Sequence, residues 1–219
     1  MKKLIIFDLD GTLINSIKDL GIATNHALEK NGYAPRDLNE YPMLVGNGVK
    51  KLIERALPEN ARNEKNVETL LSDFKTYYNQ HNIDYTRPYE GIPDLLRTLS
   101  NRGILIAVAS NKYDAAAKKI VFSLFPDIAF ATVEGQKEGV PVKPDPSVVF
   151  GILSKTNCLK NEVLYVGDSG VDMETARRAG VDSAGVTWGF RSVAELRAAY
   201  ATHIVDSPAE ILQIIDNEK

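Results

Sequence analysis

The sequence predicts an α/β fold in which a doubly wound parallel sheet is covered by helices on both faces. Four short apolar runs have the length and composition of buried strands: Leu4–Phe7, Ile104–Ala109, Val163–Val166 and Ser183–Thr187. Amphipathic helical patterns alternate with them: Pro93–Arg102, Tyr113–Leu124, Pro146–Lys155 and Val171–Ala179. Strands that are buried on both faces read as continuous apolar runs, and their alternation with helices indicates parallel pairing. The expected core is therefore Rossmann-like, with any ligand bound beyond the carboxyl ends of its strands.

A block after the first strand interrupts this alternation. Residues 15–85 contain helical patterns at Ser16–Lys30, Val49–Leu57 and Asn63–Gln80 but no convincing strand. They predict a helical cap domain that is inserted into a core domain made of residues 1–14 and 86–219. The alternative is that these helices pack as ordinary layer helices of a single domain.

The composition limits the partners and the compartment. The chain has 219 residues, 44% of them hydrophobic, which is enough to bury a sizeable core. The formal net charge of −3 gives no reason to expect a nucleic-acid or membrane partner. The single cysteine excludes an intrachain disulfide, and no apolar run approaches the length of a membrane span. We expect a cytoplasmic protein, whose oligomeric state the sequence does not give.

The first strand ends in two carboxylates. In "LIIFDLDGTL", Asp8 and Asp10 are separated by one residue, so an extended chain directs both to the same side. Asp and Gly also form turns, which is the simpler interpretation of "DLDG" alone. Adjacent carboxylates repel each other and resist desolvation, however, unless a hard cation such as Mg²⁺ lies beside them.

A second acidic pair follows another strand. In "VLYVGDSGVD", Asp168 comes directly after the apolar run and Asp172 lies four residues later, on the first turn of the next helix. Asp172 could be a capping charge that the helix dipole favours, or Ser169 could be the cap instead. Those local roles do not explain why two strands both end in acidic pairs.

Two further segments fit a site for an anion. Ser110 and the amide of Asn111, in "VASNK", are expected at a helix N-terminus, where backbone N–H groups bind anions. Both residue types are also common helix caps. Lys143 in "VKPDP" precedes a proline that restricts its backbone, which makes it a candidate for a fixed positive charge.

These four segments resemble, in order and spacing, the four motifs of the haloacid dehalogenase superfamily of phosphohydrolases. The resemblance implies Mg²⁺-dependent hydrolysis of a small phosphate monoester through an aspartyl-phosphate. Asp8 would be the nucleophile and Asp10 the general acid and then base. Ser110 and Asn111 would hold phosphoryl oxygens beside Lys143. The metal ligands would come from four positions: Asp8, the Asp10 carbonyl, Asp168 and, directly or through another group, Asp172.

Three segments are similar in particular to the phosphoglycolate phosphatases, which makes 2-phosphoglycolate a candidate substrate: residues 45–57, "VGDSGVDMETARRAG" and "GVTWGFRS". A sugar phosphomutase of the same superfamily is an alternative. Another is a non-enzymatic phosphoacceptor switch, which would have no need of an acid and base at Asp10. In the first of these segments, Gly46 and Gly48 form either a loop that reaches the active site or a flexible entry to a helix.

Overall fold

The computed structural model describes residues 1–217, and its central sheet has six strands that all run parallel. The strands of the chain are β1 Leu4–Phe7, β2 Ile14–Asn15, β3 Arg87–Pro88, β4 Leu105–Tyr113, β5 Thr132–Gln136, β6 Val163–Gly167, β7 Asp182–Val186 and β8 His203–Val205. The order in the sheet is β5-β4-β1-β6-β7-β8. The strand order reverses at β1: the chain adds β4 and β5 on one side of it and then β6, β7 and β8 on the other. Folds of this kind bind ligands at the carboxyl ends of the strands beside such a reversal.

Helices cover both faces of this sheet. They are α1 Ile17–Lys30, α2 Tyr41–Leu44, α3 Val49–Ala56, α4 Glu64–His81, α5 Ile92–Asn101, α6 Asp114–Leu124, α7 Ser147–Thr156, α8 Gly170–Ala179, α9 Val193–Ala198 and α10 Pro208–Asn217. Successive residues of β1 enter opposite layers: Ile5 and Phe7 belong to one apolar cluster, and Leu4 and Ile6 to the other. All four are fully buried, as the continuous apolar run predicts. The doubly wound α/β fold is confirmed.

The helices α1 to α4 lie between β2 and β3, which pair with each other antiparallel outside the main sheet. This small ladder brings together the two chain segments that lead into and out of the helical block. Asp19 on α1 connects them again, because its buried carboxylate accepts hydrogen bonds from the backbone N–H groups of Tyr85 and Thr86 and from the Thr86 hydroxyl.

The helical block also shares a core with the sheet. Leu20 of α1 and Phe74 of α4 belong to the same apolar cluster as Phe7. The division into a core domain and a cap of residues 15–85 therefore stays a prediction, since continuous packing is compatible with either arrangement. No helix within residues 1–217 is long and apolar enough to cross a bilayer.

Candidate active site

Three carboxylates meet at the carboxyl edge of the sheet. Asp8 follows β1, Asp168 follows β6, and Asp172 lies on the first turn of α8. All three are buried, and each offers an oxygen that lies within 4.8 Å of the others. The convergence follows from the sheet order, because β1 and β6 are hydrogen-bonded neighbours that run in the same direction.

The electrostatics of this cluster favour a bound cation. Burial, and then the charge of Asp172, raise the pKa of Asp8 to about 7, although Lys143 opposes the shift. Burial, and then the charges of Asp172 and Asp8, raise the pKa of Asp168 well above its ordinary value, although the Phe190 N–H and Lys143 oppose the shift. Three converging carboxylates, of which Asp8 and Asp168 are disfavoured in their ionised forms by burial and neighbouring negative charge, are a donor set suited to a hard divalent cation.

Lys143 is the ammonium in contact with this cluster. Its Nζ lies 2.8 Å from a carboxylate oxygen of Asp8 and 2.7 Å from one of Asp172. It also donates to the carbonyl of Ala109 at 2.9 Å and to the Tyr165 hydroxyl at 3.1 Å. The side chain is 3% exposed, so Lys143 is the fixed positive charge that the proline-bounded segment predicts.

Asp172 contacts both Ser169 and Lys143. One carboxylate oxygen accepts from Lys143, and the other accepts from the hydroxyl and the backbone N–H of Ser169, at 2.6 and 3.2 Å. The helix-capping interaction is therefore present, and it orients the same carboxylate toward the cluster.

Two glycines enclose Asp168. A Cβ added at Gly11, where φ is +89°, would overlap the Asp168 carboxylate, and one at Gly189 would overlap its Cβ and the Gly11 carbonyl. The backbone N–H of Phe190 donates to the same carboxylate at 2.7 Å. The position of Asp168 therefore depends on the absence of side chains on both sides of it.

The prediction that Ser110 and Asn111 begin a helix is wrong. The strand β4 continues past Ala109 to Tyr113, with a shift in its register against β5, and α6 starts at Asp114. Both residues are buried at the edge of the site.

The side chain of Asn111 is already hydrogen-bonded within the protein. Its Nδ2 donates to the carbonyls of Lys143 and Gly46 at 3.1 and 3.2 Å, and its Oδ1 accepts from the Lys143 N–H at 2.8 Å. It therefore positions Lys143 and a loop of the helical block, and only its backbone amide can serve as the predicted anion ligand.

Asp10 lies beside the acidic cluster but has different partners. Its two carboxylate oxygens accept from Lys112 Nζ at 2.9 and 3.0 Å, and one of them also accepts from the Ser16 hydroxyl. Burial tends to lower the pKa of Lys112, but Asp10 and Tyr78 outweigh it and raise the pKa above its usual value. Lys112 is a site residue that the sequence motifs did not predict. The available signal was its position two residues after Ser110, on the same side of an extended strand.

A cavity of about 50 Å³ opens above these residues. The carboxylates of Asp8, Asp10 and Asp168 and the ammonium groups of Lys112 and Lys143 line its polar side. The helical block supplies eight further lining residues: Leu20, Val45, Gly46, Gly48, Val49, Leu52, Phe74 and Tyr78. The loop formed by residues 45–48 thus reaches the site, which is one of the two alternatives predicted for its glycines.

Contacts from the sheet hold that loop in place. Arg191, which follows β7, donates to the carbonyls of Pro42 and Val45. Lys50, by contrast, forms an exposed ion pair with Glu68 at 2.6 Å. Arg55 donates to the Asn47 side chain at 2.7 Å, and neither Arg55 nor Lys50 lines the cavity.

The sequence matches a known family over most of its length. The family model for haloacid dehalogenase-like hydrolases matches residues 5–186. The chain belongs to this family. The predicted resemblance and the prediction of a hydrolase are therefore confirmed.

Relatives of this haloacid dehalogenase-like hydrolase include phosphatases. A phosphoglycolate phosphatase from Aquifex aeolicus is 33% identical over 218 residues, which are 98% of this chain and 97% of that protein. A phosphoglycolate phosphatase from Agrobacterium fabrum is 35% identical and covers 88% of this chain and 84% of that protein. These relatives agree with the prediction of a phosphoric monoester hydrolase.

The fold of this hydrolase also matches solved structures. The crystal structure of a protein from Lactobacillus delbrueckii subsp. bulgaricus has a TM-score of 0.91 and 33% identity, and the match covers 98% of this chain and 99% of that one. A predicted phosphoglycolate phosphatase from Haemophilus somnus has a TM-score of 0.89 and 28% identity, over 98% of both chains.

Proposed function

We propose that this hydrolase is a Mg²⁺-dependent phosphatase that hydrolyses a small phosphate monoester, such as 2-phosphoglycolate, through an aspartyl-phosphate on Asp8. The observation that carries the proposal is the meeting of three buried carboxylates with Lys143 at the carboxyl edge of the sheet. A structural ion pair between Lys143 and Asp172 alone would not explain why Asp8 and Asp168, whose pKa values are raised, are buried beside it.

The acidic cluster would hold the metal. The ligands would be Asp8, the backbone carbonyl of Asp10 and Asp168, and Asp172 would be either a further ligand or a partner of the others. When bound, Mg²⁺ offsets the negative charge of the phosphoryl group and of the carboxylates around it.

In the first half-reaction, a carboxylate oxygen of Asp8 forms a bond to phosphorus while the bond to the ester oxygen breaks. Asp10 transfers its proton to the departing alkoxide, so the alcohol leaves neutral. Lys143 reduces the repulsion between the anionic nucleophile and the phosphate dianion. The Ser110 hydroxyl and the backbone amide of Asn111 bind phosphoryl oxygens.

In the second half-reaction, the phosphoryl group is transferred to water. Asp10, now ionised, accepts a proton from a water molecule as its oxygen attacks phosphorus. The bond between phosphorus and the Asp8 oxygen breaks, which releases inorganic phosphate and regenerates the free Asp8 carboxylate. This requirement for a base two residues from the nucleophile separates a phosphatase from a switch protein that keeps its acyl-phosphate.

The substrate is small on this proposal. The helical block and the carboxyl edge of the sheet both line the cavity, so the organic portion of the ester would lie between them. Residues 15–85 act as a cap that selects the leaving group and excludes water. The phosphoglycolate phosphatases among the relatives support 2-phosphoglycolate as the first ester to test.

The test combines a substrate screen with two variants. Purified protein is assayed against small phosphate monoesters, including 2-phosphoglycolate, with Mg²⁺ and with EDTA. Asp8→Asn should abolish turnover of every ester. Asp10→Asn should still be phosphorylated by nitrophenyl phosphate, because nitrophenolate leaves without a proton, and should then stall. Rapid mixing should show a burst of nitrophenolate near one equivalent, with the phosphoryl group on the peptide that contains Asp8.

Three results would contradict the proposal. They are full activity in EDTA, full activity of Asp8→Asn, and an Asp10→Asn enzyme with neither a burst nor a phosphopeptide. Activity on other small esters, with none on 2-phosphoglycolate, would overturn only the proposal that 2-phosphoglycolate is the substrate.

A further inference from the structure

We propose that Lys112 is a positioning residue that fixes the orientation of the Asp10 carboxylate for proton transfer. The inference rests on the proposed function, because it assigns a partner to the proposed acid and base. Each aspartate of "DLDG" contacts a different buried lysine: Lys143 contacts Asp8, and Lys112 contacts Asp10.

The ion pair restricts rotation of the carboxylate. Lys112 Nζ lies 2.9 and 3.0 Å from the two oxygens of Asp10, so one ammonium bridges both. The Lys112 side chain is 4% exposed and that of Asp10 is 13% exposed, so water competes little for either group. A carboxylate held at both oxygens cannot turn about its terminal torsion without losing a charged hydrogen bond.

Ser16 constrains Asp10 from a second direction. It is the residue that precedes α1, where a serine hydroxyl ordinarily accepts a hydrogen bond from the helix backbone. Here no such capping bond forms, and the buried hydroxyl donates to Asp10 instead. The two donors come from the end of β4 and from the start of α1, so they fix the carboxylate in more than one direction.

Lys112 is itself held in place. Its backbone N–H donates to the Ser110 hydroxyl at 3.2 Å, and its ammonium lies 4.9 Å from the ring centroid of Tyr78 on α4. An ammonium over an aromatic face is attracted to it, and Tyr78 is fully buried. The helical block therefore contributes to the orientation of Asp10 through a lysine that belongs to the sheet.

Loss of this lysine should impair proton transfer and leave the phosphoryl chemistry intact. In Lys112→Met, the acidic cluster keeps Lys143, but the Asp10 carboxylate can rotate away from the leaving oxygen. General acid–base catalysis contributes roughly 10²–10⁴-fold in rate. We expect Lys112→Met to lose about tenfold or more of that contribution on an alkyl phosphate, and Lys112→Arg to recover part of it.

The experiment is a double-mutant cycle between Lys112→Met and Asp10→Asn. Turnover is measured on 2-phosphoglycolate and ethyl phosphate, and rapid mixing is used with nitrophenyl phosphate. Lys112→Met should resemble Asp10→Asn, with reduced kcat on both alkyl esters, a retained nitrophenolate burst and slow subsequent turnover. Adding Lys112→Met to Asp10→Asn should cost less than about threefold more, because the group being positioned is already absent.

Two further variants make the result specific. Lys118→Met removes an exposed lysine of α6 that pairs with Asp114 at 2.7 Å, and it should leave kcat and the burst unchanged. Ser16→Ala removes the other donor to Asp10 without touching a charge. It should shift kcat in the same direction as Lys112→Met, so it keeps the inference testable if that variant does not fold.

The possible outcomes distinguish this inference from the proposed function. Full activity of Asp10→Asn would overturn the catalytic role of Asp10 and the inference with it. A normal loss in Asp10→Asn with a further, multiplicative loss in the double variant would overturn only the role of Lys112. A loss confined to 2-phosphoglycolate, absent with ethyl phosphate, would also overturn positioning, because it would mean that Lys112 binds the carboxylate of the substrate.

Discussion

Replacing Lys143 with methionine removes the ammonium that contacts both Asp8 and Asp172 and leaves a buried side chain of similar length. The ammonium lies 2.8 Å from the first carboxylate and 2.7 Å from the second, and it is 3% exposed. Removing one partner of a buried ion pair typically costs about 3–5 kcal/mol, because the remaining charge stays buried and unpaired. For a domain of this size, each 1 kcal/mol shifts Tm by about 2–4 °C, so the expected loss is roughly 6–20 °C.

The assay is thermal unfolding of Lys143→Met and the wild-type protein at pH 8 in EDTA, and again with excess Mg²⁺. At pH 6 the loss should be smaller, because the pKa of Asp8 is already near 7 and protonation removes part of the unpaired charge. Mg²⁺ should restore part of the stability by supplying positive charge to the same carboxylates. Lys50→Met is the matched control, since its pair with Glu68 is exposed and screened by solvent, so its removal should leave Tm nearly unchanged.

A Tm of Lys143→Met at pH 8 in EDTA equal to or above that of the wild type would refute this reasoning. It would mean that the carboxylates are screened by solvent and that Lys143 does not compensate a buried charge. An equal loss in Lys50→Met would show that the change reflects lysine removal in general.

Two further outcomes follow from the acidic cluster and the cavity. Burial and mutual repulsion raise the pKa values of Asp8 and Asp168, so the native state binds more protons than the unfolded chain above pH 4, and stability in EDTA should fall as the pH rises from 5 to 8. Mg²⁺ should therefore raise Tm more at pH 8 than at pH 5, and Asp168→Asn should reduce that gain in Tm. A gain in Tm that does not depend on pH in melting scans would contradict the expected competition between protons and Mg²⁺ for these carboxylates. Val49→Phe should fill part of the cavity of about 50 Å³, and it should lower kcat/KM more for 2-phosphoglycolate derivatives with larger organic portions. Lys50→Ala, measured in the same assays, should leave the ranking of esters unchanged. Identical effects of the two variants would contradict the assignment of Val49 to the cavity lining.

The buried centre of the sheet was predictable because its pattern is strong. The run Leu4–Phe7 is apolar on both faces, and a strand of that kind has to lie inside a parallel sheet. Its position next to β6 explains why Asp8 and Asp168 meet. The edge strands β5 and β8 were missed, since "TVEGQ" and "HIV" are short and have a neighbour on only one side, which leaves them partly exposed and without a clear pattern.

The local chemistry of Asp10 was harder to foresee. A serine before a helix, such as Ser16, indicates a helix cap. Only the folded structure shows that its hydroxyl donates instead to the carboxylate of Asp10, six residues earlier. Lys112 lies within the irregular stretch of β4 between Ala109 and Tyr113, where strand alternation alone does not give its distance from Asp10. The sequence thus indicates which side chains carry the chemistry, but their supporting contacts depend on irregular backbone.

The glycines around Asp168 have a consequence for mutational tolerance. Gly11 and Gly189 have no side-chain chemistry, yet a single methyl at either would displace the carboxylate between them. In a library of single substitutions, we expect both positions to be as intolerant as the aspartate itself. Gly189→Ala would then be a useful variant, because it should displace the Asp168 carboxylate without changing its charge. Comparing it with Asp168→Asn would separate the effect of the position of this carboxylate from the effect of its charge.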